Sequence, residues 1–210
     1  MAELITGLDA DRIRANLERV RERAGPGVEI LAATKYVPLE EMGALAEAGV
    51  TLVGENRLQD LQAKRERWGD RFEWDFIGNL QSRKVKAVLP LVRLIHSVAT
   101  ESALEQLGRH GGPDDAILIE VNLSGEESKG GVDPSDLGEF ITRSAVPVEG
   151  LMTMPPFTED PEGSRPYFVR LAELAGEHGL RRLSMGTSQD WEVAVDEGAT
   201  IVRLGTSLYA

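Results

Sequence analysis

Apolar residues gather along the chain into short runs set at near-regular intervals: VEILAATK (28–35), TLVGEN (51–56), EWDFIG (73–78), VRLIHSV (92–98), DAILIEVNL (115–123), PVEGLMTM (147–154), RLSMG (182–186) and TIVRLG (200–205). Their length and near-continuous apolar character fit strands covered on both faces. Between them the spacing changes to that of helices. PLEEMGALAEAG starts with Pro38 and stops at Gly49, in the order helix start and stop signals take. ESALEQLGRHGG and PSDLGEFITRS read the same way, and SRPYFVRLAELAGEHG puts Tyr167, Leu171 and Leu174 on one face. A charged amphipathic helix, roughly residues 8–25, precedes the first run. Strands alternating with helices imply parallel pairing, and eight such units predict an α/β fold: a single (β/α)8 TIM barrel with an extra N-terminal helix, residues 1–210 forming one domain. A doubly wound open sheet is the runner-up. It would carry a G-x-G-x-x-G turn after its first strand to hold a dinucleotide, whereas here Lys35 is followed by Tyr-Val-Pro. The longest irregular stretches, around SGEESKGGVDP and PPFTEDPEGS, both follow strands.

Composition narrows the partners. Lys and Arg total 23 against 35 Asp and Glu, a formal net charge of −12. That balance argues against nucleic acid or an anionic membrane as partner, but not against a small anion, which needs only local donors. Cysteine is absent, so disulfides and thiolate metal sites are excluded. His96, His110 and His178 show no metal-ligand spacing, and no metal is assigned. No signal peptide or membrane-spanning run is apparent, so a soluble cytoplasmic protein is expected. The acidic surface and lack of heptads suit a monomer.

In a barrel of this type the loops after the strands build the active face. Polar residues gather there: Lys35, then Glu55-Asn56-Arg57, Asn79, His96-Ser97, Asn122, Met152-Thr153, Ser184 to Ser188, and Arg203 to Thr206. In SMGTSQD, Thr187 or Ser188 is placed to cap a helix, with Asp190 completing a loose capping box. RLGTS offers the N–H groups of Gly205 and Thr206 and a threonine hydroxyl. Together these ends predict a phosphate seat after strands seven and eight. Arg203 lies within an apolar strand, where it needs an acceptor: a carboxylate, or a ligand atom. A lysine across a barrel mouth from a phosphate seat, with a buried arginine, suggests pyridoxal 5'-phosphate (PLP), which uses a lysine amine, a phosphate site and a partner for its pyridine nitrogen. A lysine taken out of water at the end of a buried strand would be favoured in its neutral, nucleophilic form.

The chain also resembles the single-domain pyridoxal phosphate homeostasis proteins, similar to the N-terminal domain of alanine racemase. The resemblance covers about residues 8–209 and rests on AATK (32–35), GENRLQD (54–60), FIGNLQSRK (76–84), IHSV (95–98), SKGGV (128–132), GLMTM (150–154), SMGTSQD (184–190) and VRLGTSLY (202–209). It implies PLP held as a covalent aldimine on Lys35, with phosphate on Ser188, Gly205 and Thr206. It further implies Arg203 at the pyridine nitrogen, Asn56 beside the cofactor, and Met152, Ser184 and Gly186 as wall residues. Family members commonly have His where this chain has Asp75 and Asn where it has Arg83. Neither residue is assigned to cofactor contact, so altered surface contacts or regulation near the third strand are expected.

The family implies a carrier acting in PLP (vitamin B6) homeostasis and amino-acid balance, without robust catalysis, with PLP-dependent apo-enzymes as candidate recipients. The alternative is a racemase-like PLP enzyme with weak one-base activity. Racemases of this fold take a second base from a separate C-terminal domain, and this sequence ends at Ala210. An arginine at the pyridine nitrogen also disfavours its protonation and weakens the ring as an electron sink. A third reading is a sugar-phosphate enzyme using Lys35 on its substrate. Lys129, in the SKGG loop, is a conjectural second site for PLP.

Overall fold

The computed structural model describes residues 4–126 and 130–210. Lys129 lies outside them. The strands are β1 (Glu29–Ala33), β2 (Leu52–Glu55), β3 (Glu73–Phe76), β4 (Leu94–Val98), β5 (Ile117–Glu120), β6 (Val148–Met152), β7 (Arg182–Thr187) and β8 (Ile201–Leu204). They pair in chain order, all parallel, and β8 returns to β1 to close an eight-stranded barrel. Each lies within its apolar run, except that β7 extends one residue further. Ladders stop where the rim polar residues begin, because Lys35, Asn56 and Gly205 leave the sheet to form loops.

Helices cover the barrel: α1 (Ala10–Ala24), α2 (Met42–Glu47), α3 (Leu58–Trp68), α4 (Val85–Val88), α5 (Glu101–His110), α6 (Leu137–Thr142), α7 (Arg165–Glu177), α8 (Trp191–Asp196) and α9 (Thr206–Tyr209). On α7 the buried face is Phe168, Leu171, Leu174 and Ala175, not the stripe expected from Tyr167, which is only half-buried. Asp9 caps α1 by accepting from the Arg12 N–H at 2.9 Å. The helix buries Ile13, Leu17 and Val20. Its Asn16 amide donates to the carbonyls of Leu208 (3.1 Å) and Ala210 (2.9 Å). The extra N-terminal helix therefore ties down α9, the segment that follows the last strand's loop. No helix among the described residues is long and apolar enough to cross a membrane.

Two apolar layers result from the strand alternation. Outward residues such as Val53, Trp74, Ile95 and Ile119 pack under the helices. Inward, Leu31, Leu52, Leu94, Leu118, Met152 and Ile201 fill the barrel, so it is a packed core and not a pore. Leu31 is fully buried in this inner layer. Leu31→Ala should cost about 2–5 kcal/mol, read as a lower denaturant midpoint at unchanged slope; a loss below about 1 kcal/mol would contradict this packing.

Candidate cofactor-binding site at the barrel mouth

Lys35 stands in the turn just beyond β1, and the residues before it are held from several sides. The Ala33 carbonyl accepts from the Tyr209 hydroxyl at 3.1 Å. Thr34 donates its N–H to the Gly54 carbonyl (3.0 Å) and its hydroxyl to Glu55 Oε1 (2.6 Å). Lys64 Nζ, reaching in from α3, donates to the Thr34 carbonyl (2.8 Å) and to Glu55 Oε1 (2.5 Å). Glu55 and Lys64 are both buried. Such a pair adds little net stability but fixes geometry, since losing one partner strands the other's charge. Lys35 itself is exposed, with Nζ 4.9 Å from the centre of the Tyr36 ring. The expectation of a lysine withdrawn from water is therefore corrected: β1 ends at Ala33, and the turn lifts Lys35 to the rim. It is the backbone of Thr34, not the Lys35 amine, that the buried polar cluster grips.

A cavity of about 370 Å³ opens at the mouth, lined by Lys35, Asn56, Ser188, Arg203, Gly205 and Thr206, together with Ile5, Ala33, Tyr36, Ile77, Met154, Thr187 and Gln189. At one end the N–H groups of Gly205 (2.9 Å) and Ser207 (3.2 Å) converge on one oxygen, Ser188 Oγ, which also lies 3.1 Å from Ser207 Oγ. Converging N–H donors form a nest for an anionic oxygen. Asp190 accepts from the N–H (2.7 Å) and hydroxyl (3.0 Å) of Thr187, the half of the capping box that reaches back. The helix α8 begins only at Trp191, with Asp190 at its N-cap, so neither Thr187 nor Ser188 caps it.

The floor is Arg203, with 5% of its surface exposed and, among the described residues, no carboxylate paired with it. Its Nη1 donates to the carbonyl (2.7 Å) and hydroxyl (2.5 Å) of Ser184. Nη2 donates to the Thr153 carbonyl (3.0 Å) and lies 2.9 Å from Met154 Sδ. Burial brings its pKa down to about 10, the more distant charges of Glu120 and Asp190 opposing that shift. At neutral pH it remains a cation, held by neutral oxygens.

Below Arg203 a buried polar thread crosses the barrel. Ser184 Oγ lies 2.8 Å from His96 Nδ1, and His96 Nε2 lies 3.0 Å from Asp75 Oδ2. Asp75 in turn accepts from Arg93 Nε (3.1 Å) and Nη2 (2.9 Å), and Arg93 forks onto Glu29 at the opposite face (2.9 and 3.0 Å). Burial alone would push the Asp75 carboxyl up. Hydrogen bonds from His96 and Arg93, with the Arg93 charge, outweigh it and hold the group below its usual value. Burial outweighs the pull of Asp75 on His96 and keeps the imidazole neutral. An ionised carboxylate only accepts, so Nε2 carries the ring proton and Nδ1 accepts from Ser184, whose oxygen is then free to receive Arg203.

The family model for the N-terminal domain of alanine racemase matches residues 8–210. A pyridoxal phosphate homeostasis protein of Aquifex aeolicus is 42% identical, over 95% of this chain and 96% of its own length. The chain belongs to the pyridoxal phosphate homeostasis protein family. PipY of Synechococcus elongatus, solved with PLP bound, superposes with a TM-score of 0.82 at 30% identity, over 94% of this chain and all of that one (100%). Alanine racemase of Corynebacterium glutamicum shares the fold, with a TM-score of 0.77 at 18% identity; this chain spans 63% of it.

Of the residues singled out in the sequence, Lys35, Asn56, Ser188, Arg203, Gly205 and Thr206 line one cavity. The other three do not. Ser184 is fully buried beneath Arg203. Met152 belongs to the inner apolar layer and to a neighbouring cavity. Gly186, at φ +88°, lets β7 turn against α8, where a Cβ would lie 2.6 Å from that of Ala194. Met154, Tyr36 and Ser207 were not foreseen, and for Met154 and Tyr36 no sequence signal separates them from ordinary rim residues. Of the two departures from the family pattern, Asp75 is not a surface feature: it is fully buried and two side chains removed from Arg203. Arg83 is exposed and bonds Gln81 Oε1 at 3.2 and 3.3 Å.

Asp75 sets a pH test. Its lowered pKa contributes stability that is present above the ordinary carboxylate value, near about 4, and is lost as pH falls through the folded value. Asp75→Asn should therefore cost about 1–3 kcal/mol at neutral pH, and its deficit against the unaltered protein should shrink on acidification. Urea titrations across this range decide it, and a deficit that stays constant down to about pH 3 would contradict an ionised Asp75.

Proposed function

We propose that this protein binds PLP at the barrel mouth, with Lys35 joined to it as a Schiff base, and serves in PLP homeostasis as a carrier and not as an enzyme. The observation that carries the reading is the convergence, in one cavity, of a primary amine, converging N–H donors and a buried cation that no carboxylate among the described residues neutralises. The cavity volume is in the range for small ligands. Asn56 Oδ1, buried on the cavity wall without a partner among the described residues, is a further sign that the site is completed by a ligand. When bound, PLP supplies an aldehyde that condenses with amines and a ring that accepts electrons.

In this reading each residue has a definite task. The Ser188 hydroxyl, the Gly205 and Ser207 N–H groups and the Thr206 side take the phosphate. Arg203, pinned by Ser184 and Thr153, presents a permanent positive charge to the pyridine nitrogen and so opposes its protonation. That lowers the capacity of the ring to stabilise a carbanion, which favours a carrier over a racemase. The clamp on Thr34 fixes where Lys35 emerges, while its exposed position leaves the amine reachable from outside. Such access suits a cofactor that is delivered to PLP-dependent apo-enzymes. The names of the relatives, pyridoxal phosphate homeostasis protein, support the same role.

Borohydride reduction of the PLP-incubated protein followed by peptide mapping tests the reading. A pyridoxyl group on Lys35, lost in Lys35→Ala, is expected, along with no turnover of either alanine enantiomer. A protein that stays colourless and unmodified would refute PLP binding, and enantiomer turnover at enzyme-like rates would return the racemase alternative.

A further inference from the structure

A second cavity, about 450 Å³, adjoins the first and shares Asn56, Ile77 and Met154 with it. Glu120, the last residue of β5, opens into it. The residue two before it, Leu118, belongs to the inner layer, so the strand alternation turns Glu120 to the same inward side, at the mouth. Its backbone is fixed: the Glu120 carbonyl accepts from the Val132 N–H at 2.7 Å, and the Asn122 N–H donates to the Val132 carbonyl at 3.0 Å, which holds Val132 beside the strand end. Gly130 lies beside the carboxylate, where a Cβ would sit 3.7 Å from Oε1, at ordinary van der Waals contact.

Among the described residues this carboxylate has neither a hydrogen bond nor an ion pair. Arg203 attracts it through space, but the two terminal nitrogens of that guanidinium are spent on Ser184 and Thr153. Burial pushes the Glu120 carboxyl up, and the Arg203 charge only partly offsets that. A half-buried carboxylate without a protein partner is only partly satisfied by the solvent that reaches it. Among the described residues the cavity wall carries no lysine, arginine or histidine; its other side chains are Asn56, Asn79, Ser97, Thr100 and apolar residues. Ser97 has already given its hydroxyl to the Gly78 carbonyl. An anionic ligand would meet repulsion here, whereas a compact cation with several N–H donors would complete the site.

We propose that this second cavity is a binding site for a small primary ammonium group, held by the Glu120 carboxylate. The proposal goes beyond PLP binding and does not depend on it. Where both hold, an amine in this site stands beside the cavity that Lys35 and Arg203 line.

The probe is ethylammonium, titrated into the PLP-free full-length chain and followed by amide chemical shifts and calorimetry, with propionate as the probe of opposite charge. Saturable binding of ethylammonium is expected, with shifts at Glu120, Gly131 and Thr100 and no matching effect of propionate. Glu120→Gln should lower the affinity about tenfold or more. Equal binding of propionate, shifts confined to the acidic outer surface, or an unchanged affinity in Glu120→Gln would overturn the proposal. If Glu120→Gln fails to fold, the charge preference and the shift map of the unaltered protein still decide. The measurement uses no PLP, so a failure to bind PLP and a failure to bind the ammonium are read separately.

Discussion

A guanidinium buried at the floor of the barrel mouth, with no carboxylate paired with it among the described residues, constrains much of what surrounds it. Arg203 occupies an inward position on β8 where the layer below is Ile201, so its charge has been taken out of water. The neighbouring strands meet that cost with neutral acceptors: the carbonyls of Ser184 and Thr153, the Ser184 hydroxyl and a methionine sulfur. A carboxylate there would have given a cheaper ion pair but would also have neutralised the charge that faces the cavity. The observed arrangement leaves the positive charge uncancelled at the cavity floor, where a ligand atom can face it.

Ser184 can serve Arg203 only if its own proton points elsewhere, and that requirement passes down the barrel. His96 Nδ1 accepts the Ser184 hydrogen bond, Asp75 fixes the His96 tautomer, and Arg93 with Glu29 holds Asp75 ionised at the opposite face. Removing any member leaves a buried donor or acceptor unmatched, which is why a departure at residue 75 counts as an interior change. The Glu55–Lys64 pair does comparable work for Lys35, from outside the barrel wall.

The barrel itself was legible because its strands are nearly continuous apolar runs and its main helices keep a clear stripe. The exceptions have physical causes. Helix α3 fully buries only Leu61 and Lys64, with Leu58 and Trp68 partly buried, so a lysine interrupts its inward face and the apolar stripe in the sequence is sparse. The expected burial of Lys35 failed because the strand stops two residues earlier. The rim residues were legible as polar side chains at strand ends. Residues beneath the rim were less so: Ser184 reads as a wall residue and Asp75 as a surface one, because strand alternation tells which side a residue faces but not how deep it lies. Glu120 was hidden in an apolar run, DAILIEVNL, where a single carboxylate looks like an ordinary strand end.

The most direct test of the role given to Arg203 is the 15N chemical shift of the pyridine nitrogen in the protein loaded with 15N-labelled PLP. An unprotonated nitrogen is expected across neutral pH, becoming protonated when Arg203→Glu supplies a carboxylate in its place. A protonated nitrogen in the unaltered protein would contradict a cationic Arg203 at that position, and with it the structural case for a carrier over an enzyme.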